Sequence, residues 1–285
     1  MSRRKQPHQN RNDGPQGAAP RGGQTRSGGG GRSGGKSGRG GHSAANDTYL
    51  YGFHAVLAAL DNPHRLAERL CLTRNAQAEL QRQGRSPPSD LPVRPEILEN
   101  DEIAALLPPG AVHQGIALRT SPLPDLDVFD ACETANRVVI LDQVTDPHNF
   151  GAILRSAAVF GAEALVTTER NSPPLGGALA KAASGGLEKV RIARISNLVR
   201  AIEELKELGF EVIGLDGEGE MSLPEMKLSP RVALVLGAEG AGLRRLTREH
   251  CDLLARLPAA GDMKSLNVSN AAAVALYELF RRPAP

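Results

Sequence analysis

The stretch Arg137–Ala157, RVVILDQVTDPHNFGAILRSA, opens with an apolar run, Val138 to Leu141, of strand length. Asp146 then stands where a helix N-cap belongs, and Pro147 fits the first helical position. In the predicted helix, Pro147 to Phe160, the residues Phe150, Ile153, Leu154 and Ala157 share one apolar face. His148, Gly151, Ala152 and Arg155 share the other. A buried strand, a short polar loop and a one-faced helix form the repeating unit of a parallel α/β sheet.

Downstream the unit recurs. Strands are predicted at 164–167, 190–195, 210–215, 232–236 and 253–257, with helices at 175–183, 197–208 and 243–250 between them. A closing helix follows, with Ala273, Leu276, Tyr277 and Phe280 on its buried face and Ser269 and Asn270 as starting residues. This alternation argues for a parallel sheet with helices on both faces.

Upstream, residues 47–120 read as a smaller α/β unit. It holds a helix-like run after Tyr49–Val56, strands at 69–73 and 112–118, a Ser/Pro turn at 85–90, and a strand fragment with a short helix in 93–107. Residues 121–135 begin with SPLPDLD and read as a linker, which leaves 136–285 as the larger domain. His54 and His113 have no second ligand nearby in sequence, so both read as structural, hydrogen-bonded histidines.

Residues 1–46 are Gly, Arg, Ser, Gln and Asn with almost no apolar side chain, and read as disordered. Nine basic residues there face one acid, Asp13, giving +8; the whole chain is +2, so residues 47–285 carry −6. The tail reads equally as an RNA tether or as a solubilising arm. Its formal phosphate-loop match, Gly30 with Gly35-Lys36-Ser37, lacks the strand and helix that the motif needs. No run of about 18 apolar residues is present, and no secretory h-region precedes the body, so a cytoplasmic protein is expected. Cys71, Cys132 and Cys251 show no metal-ligand spacing and read as free thiols filling a core.

Three segments carry chemistry. The first is Asp142–Ala157, where Arg155 projects from a stripe lined by small residues, leaving room for another backbone or a phosphate. The second is Leu234–Leu243, LVLGAEGAGL, a buried strand running into Gly237, Gly240 and Gly242. Glycines at a strand's carboxyl end let a ligand approach the backbone, though a tight turn explains them nearly as well. The spacing is not the dinucleotide fingerprint G-x-G-x-x-G, which argues against a nucleotide-dependent oxidoreductase. The third is Leu257–Glu278, LPAAGDMKSLNVSNAAAVALYE, a small-residue loop feeding the last helix.

Together these segments resemble the three motifs of the SpoU/TrmH class of the SPOUT superfamily, RNA ribose 2′-O-methyltransferases. The match runs from Arg137 to the C-terminus. Tyr51-Gly52-Phe53-His54-Ala55-Val56 through His113-Gln114-Gly115-Ile116 is similar to the L30e-like RNA-binding domain of the subgroup that methylates a guanosine of 23S ribosomal RNA, and Gly242–Asp252 resembles the same subgroup. The resemblance implies a deep C-terminal trefoil knot, a homodimer, S-adenosylmethionine as methyl donor, no metal, and ribosomal RNA as partner, with transfer RNA as the alternative. A non-catalytic RNA-binding protein on this scaffold would be expected to have broken motifs, and these are intact. By motif position, the resemblance assigns Asn149, Arg155, Glu239, Ser265 and Asn267 to catalysis and Gly237, Leu257 and Leu266 to the donor. One departure is Leu257-Pro258-Ala259 where the family commonly reads Ile-Pro-Met, which leaves the adenine pocket to backbone contacts there.

Overall fold

A computed structural model of the chain describes residues 49–85, 91–261 and 266–282. The basic N-terminal segment, its phosphate-loop match and Ser265 lie outside the described residues.

The N-terminal sheet contains β1 (Tyr49–Tyr51), β2 (Ala67–Leu72), β3 (Glu96–Ile97) and β4 (Ile116–Thr120), in the order β1-β4-β2-β3. β4 runs antiparallel to both β1 and β2, and β3 joins β2 in parallel. Its helices are α1 (Phe53–Asp61), α2 (Arg74–Arg82) and α3 (Asn100–Ala105). Helix α2 is not foreseen from the sequence. It reads RNAQAELQR and buries only Ala76 and Leu80, too sparse an apolar stripe to register. What starts it is Thr73, whose hydroxyl accepts from the Ala76 N–H at 3.2 Å.

The expected linker contains a short helix of its own, α4 (Val128–Cys132), capped by Asp127, whose carboxylate accepts from the Asp130 N–H at 2.8 Å. Beyond it lie β5 (Arg137–Leu141), α5 (Pro147–Val159), β6 (Ala164–Thr168), α6 (Gly177–Ala183), β7 (Arg191–Ile195), α7 (Leu198–Glu207), β8 (Glu211–Leu215), β9 (Met221–Ser222), β10 (Val232–Leu236), α8 (Arg245–Glu249), β11 (Leu253–Arg256) and α9 (Val268–Phe280). Seven strands pair in the order β7-β6-β5-β10-β8-β11-β9, every pairing parallel. Six of the seven are legible in the sequence; β9, two residues long, is not.

Strand alternation divides the core into two layers. Val139, Leu141 and Leu165 pack on one side with Phe150, Ile153 and Leu154 of α5 and Ala272, Leu276 and Leu279 of α9. Val138, Ile140 and Val166 pack on the other with Ala131 of α4 and Leu198, Ile202 and Leu205 of α7. The predicted apolar face of α5 is therefore buried residue for residue. The face predicted for α9 is not. Ala272, Ala275, Leu276 and Leu279 are buried, whereas Tyr277 and Phe280 are about half exposed. The cap also differs, since the helix starts from Asn267 rather than from Ser269 or Asn270.

The N-terminal sheet rests on α6 and on the turn Gly186–Glu188. Glu188 accepts from Arg65 Nε and Nη2 and from Asn62 Nδ2, and both charged side chains are almost wholly buried. Lys181 of α6 donates to the Val112 carbonyl and lies 5.8 Å from the centroid of the Tyr51 ring. Of the two histidines, His113 is buried and its Nδ1 accepts from the Gly115 N–H at 3.2 Å. His54 is instead exposed and makes no side-chain hydrogen bond among the described residues, because its position on α1 faces away from the core. The three cysteines are free. Burial pushes the Cys132 and Cys251 thiols up to about 12, which suits core filling rather than nucleophilic chemistry.

Candidate active site

Three loops converge at the carboxyl ends of β8, β10 and β11, which are neighbours in the sheet. They enclose a cavity of about 650 Å³. Open parallel sheets bind ligands at this end of their strands, and the volume falls in the range of small-molecule sites. The wall between β10 and α8 is the glycine loop, bridged across its base by Ala238 and Gly242 (Ala238 N to Gly242 O 3.1 Å, Gly242 N to Ala238 O 2.9 Å). Both readings of these glycines therefore hold: Gly237 is required by the turn, and the loop it builds lines the cavity.

Gly237, Leu257 and Leu266 all line this cavity. Ala259 is exposed and is not among the lining residues. Asp216 and Glu218, after β8, contribute carboxylates to the wall, and Arg248 faces them in an ion pair with Asp216 at 3.1 Å.

Asn149, Glu239 and Asn267 come together from three separate segments. Asn149 sits in the first turn of α5, where its backbone N–H is held by the Asp146 cap at 2.9 Å. Its side-chain Nδ2 donates to Glu239 Oε2 at 3.3 Å. Asn267 caps α9: its Oδ1 accepts from the Ser269 N–H at 2.9 Å and from Ser269 Oγ at 2.6 Å. That fixes the amide, so Nδ2 points at Asn149 Oδ1 (3.1 Å) and Glu239 Oε1 (3.4 Å). Glu239 belongs to the network and to the cavity wall at once.

Arg155 stands apart from this network. It is exposed on α5 and makes no ion pair or side-chain hydrogen bond among the described residues. The small-residue stripe around it is filled by backbone rather than left open. A Cβ on Gly151 would lie 2.5 Å from the Leu179 carbonyl oxygen, and one on Gly186 would lie 3.1 Å from the Arg155 Cα. Helix α6 and the turn at 186 thus press directly on α5, and they leave the Arg155 side chain free to reach outward.

Two further contacts were not legible in the sequence. Asp142, wholly buried at the end of β5, pairs with Arg244, and Asp216 pairs with Arg248. A charge closing an apolar strand is a visible signal in the first case. The partner, 102 residues away, is not.

A crevice at the ends of parallel strands, with the carboxylate of an amide–carboxylate cluster on its wall, defines a ligand-binding α/β protein. The SpoU rRNA Methylase family matches residues 136–277, and the RNA 2′-O ribose methyltransferase substrate binding family matches residues 49–126. The chain is 39% identical over 251 residues to the 23S rRNA (guanosine-2′-O-)-methyltransferase RlmB of Salmonella typhi, covering 82% of this chain and 98% of that one. It is also 39% identical over 241 residues to an uncharacterized tRNA/rRNA methyltransferase of Synechocystis, covering 82% of this chain and 62% of the relative. In fold it resembles the SpoU methyltransferase AviRb from Streptomyces viridochromogenes, solved in complex with AdoMet, with a TM-score of 0.67 at 22% identity, covering 83% of this chain and 90% of that one. The chain belongs to the SpoU family of RNA ribose 2′-O-methyltransferases, which use S-adenosylmethionine.

Proposed function

We propose that the chain methylates the 2′-hydroxyl of a guanosine in 23S ribosomal RNA. The observation that carries this reading is the double role of Glu239, which lines the cavity and accepts hydrogen bonds from both Asn149 and Asn267. Similarity to RlmB over nearly its whole length supports the target.

The residues present suit the donor. S-adenosylmethionine, when bound, supplies a methyl group on a cationic sulfonium. The backbone of 237–242 with Leu257 and Leu266 would hold its apolar surface. Asp216, Glu218 and Glu239 outweigh Arg248 in charge, which favours a cation. The amides of Asn149 and Asn267 orient the ribose against Glu239, and such positioning supplies much of the rate in a group transfer. Arg155 binds the adjacent phosphate and stabilises the alkoxide as the hydroxyl gives its proton to solvent water. Ser265, by its place in the motif, helps to orient the ribose or the donor loop.

The same reading includes a homodimer, a C-terminal trefoil knot, an L30e-like RNA-binding role for residues 47–120, and action in the cytoplasm. The half-exposed Val274, Tyr277 and Phe280 on α9, with Phe160 edge-on to Tyr277 at 5.7 Å, support the dimer. The placement of β11 between β8 and β9, followed by return of the chain to α5, supports the knot.

The test is to map 2′-O-methylation across ribosomal and transfer RNA in a strain lacking this protein, with and without the parent or an Arg155→Lys variant. Loss of one guanosine methyl in 23S rRNA, restored by the parent, is expected. Loss confined to transfer RNA would overturn the target. Arg155→Lys keeps charge but loses the planar fork. If it methylated as fast as the parent at saturating RNA, the role given to Arg155 would be wrong.

A further inference from the structure

Asp142 follows four apolar, buried residues of β5, and its side chain has no solvent exposure. Its backbone N–H donates to the Leu236 carbonyl at the end of β10, at 2.8 Å. Both carboxylate oxygens go to one residue: Oδ1 accepts from Arg244 Nε at 2.6 Å and Oδ2 from the Arg244 backbone N–H at 3.1 Å. Arg244 lies two residues beyond Gly242, where the glycine loop ends.

The glycine loop is therefore fastened to the segment 142–149 at two points. At its base, Arg244 holds Asp142. At its tip, Glu239 holds Asn149. An ion pair between an enclosed carboxylate and a half-exposed guanidinium is a poor way to stabilise a strand end, because well-packed apolar residues often do as well or better. What two directional bonds from one residue, one from its side chain and one from its backbone, add is register. Between the two fastenings lie Gly240, Ala241, Gly242 and Leu243, all on the cavity wall.

We propose that Asp142 and Arg244 are positioning residues for methyl transfer. They set the glycine loop against the start of α5, so that the donor-binding backbone and the Asn149–Glu239 contact form together. The inference rests on the reading of the cavity as the donor site.

The test uses the full chain with Arg244→Met, Arg244→Lys and the double variant Asp142→Leu/Arg244→Met. It measures S-adenosylmethionine affinity by calorimetry, kcat and the RNA KM, and thermal unfolding. Arg244→Met should lose at least tenfold in donor affinity and in kcat, with the RNA KM within twofold of the parent. Arg244→Lys should recover part of the loss. Because the single variant leaves a buried carboxylate without its partner and risks misfolding, the double variant is decisive. It should unfold close to the parent temperature yet remain at least tenfold weaker for the donor. Parental donor affinity in the double variant would show a purely structural pair and overturn the proposal. So would a raised RNA KM with unchanged donor affinity, which would make Arg244 an RNA contact. A parent chain without affinity for S-adenosylmethionine would instead overturn the donor-site reading itself.

Discussion

Replacing Gly237 by Ala tests how tightly the cavity wall is folded. A Cβ there would lie 2.2 Å from the Gly242 carbonyl carbon, 2.3 Å from its oxygen and 2.4 Å from the Leu243 nitrogen. Ordinary contact begins at 3.4 Å, so the far side of the loop must retreat by about 1.2 Å. The atoms struck are backbone, which no rotamer change relieves. Such a retreat takes both Ala238–Gly242 hydrogen bonds beyond useful length. At roughly 0.5–1.5 kcal/mol net for each bond, the closed loop loses about 1–3 kcal/mol. If the donor binds only the closed loop, that loss appears as roughly 5- to 150-fold weaker binding. Gly240→Ala is the control. Nothing lies within 4 Å of its Cβ, but its φ is +78°, so the cost is a left-handed residue at about 1–2 kcal/mol without displacement of Gly242. Both variants should therefore unfold at a lower temperature, and only Gly237→Ala should lose about fivefold or more in donor affinity. Calorimetric titration with S-adenosylmethionine, beside thermal unfolding, separates the two effects. Equal donor affinity in the two variants would refute the argument.

Three other outcomes follow. Glu188→Ala leaves Arg65 buried without its partner and should cost about 3–5 kcal/mol in urea unfolding, while Arg65→Met/Glu188→Leu should stay near the parent. Burial, and then the charge of Lys181, hold the His113 pKa below its ordinary 6.5, so the unfolded chain takes up the proton first. Its contribution is present above pH 6.5 and is lost as pH falls toward the lowered folded value. Thermal unfolding between pH 7.5 and 5.5 should decline less steeply in His113→Gln than in the parent. Deleting residues 1–46, which carry +8 against −6 for the remainder, should flatten the dependence of log K for RNA on log salt. An unchanged slope would mean that the body alone supplies the phosphate contacts.

Local order determined much of this protein. The run Val138–Leu141, the Asp146-Pro147 start and the spacing of Phe150, Ile153, Leu154 and Ala157 each depend on neighbours within a turn or two, so their strand and helix could be read directly. The motif residues were legible for the same reason, as short strings with fixed spacing. The face of α9 was not, because periodicity alone cannot choose between two adjacent stripes; packing on α5 buries Ala272, Ala275 and Leu279 and leaves Tyr277 and Phe280 outside. Nor does spacing say that Gly151 exists to admit the backbone of α6.

The site shows the division most clearly. Asn149, Glu239 and Asn267 are separated by 90 and 28 positions, and a single sequence contains nothing that measures the distance between their side chains. Hydrogen bonds act over about 3 Å, and only the order of parallel strands brings the ends of β5, β10 and β11 close enough for them to form. The same holds for Asp142 and Arg244. Sequence supplied the chemistry of each group, and the sheet decided which groups meet.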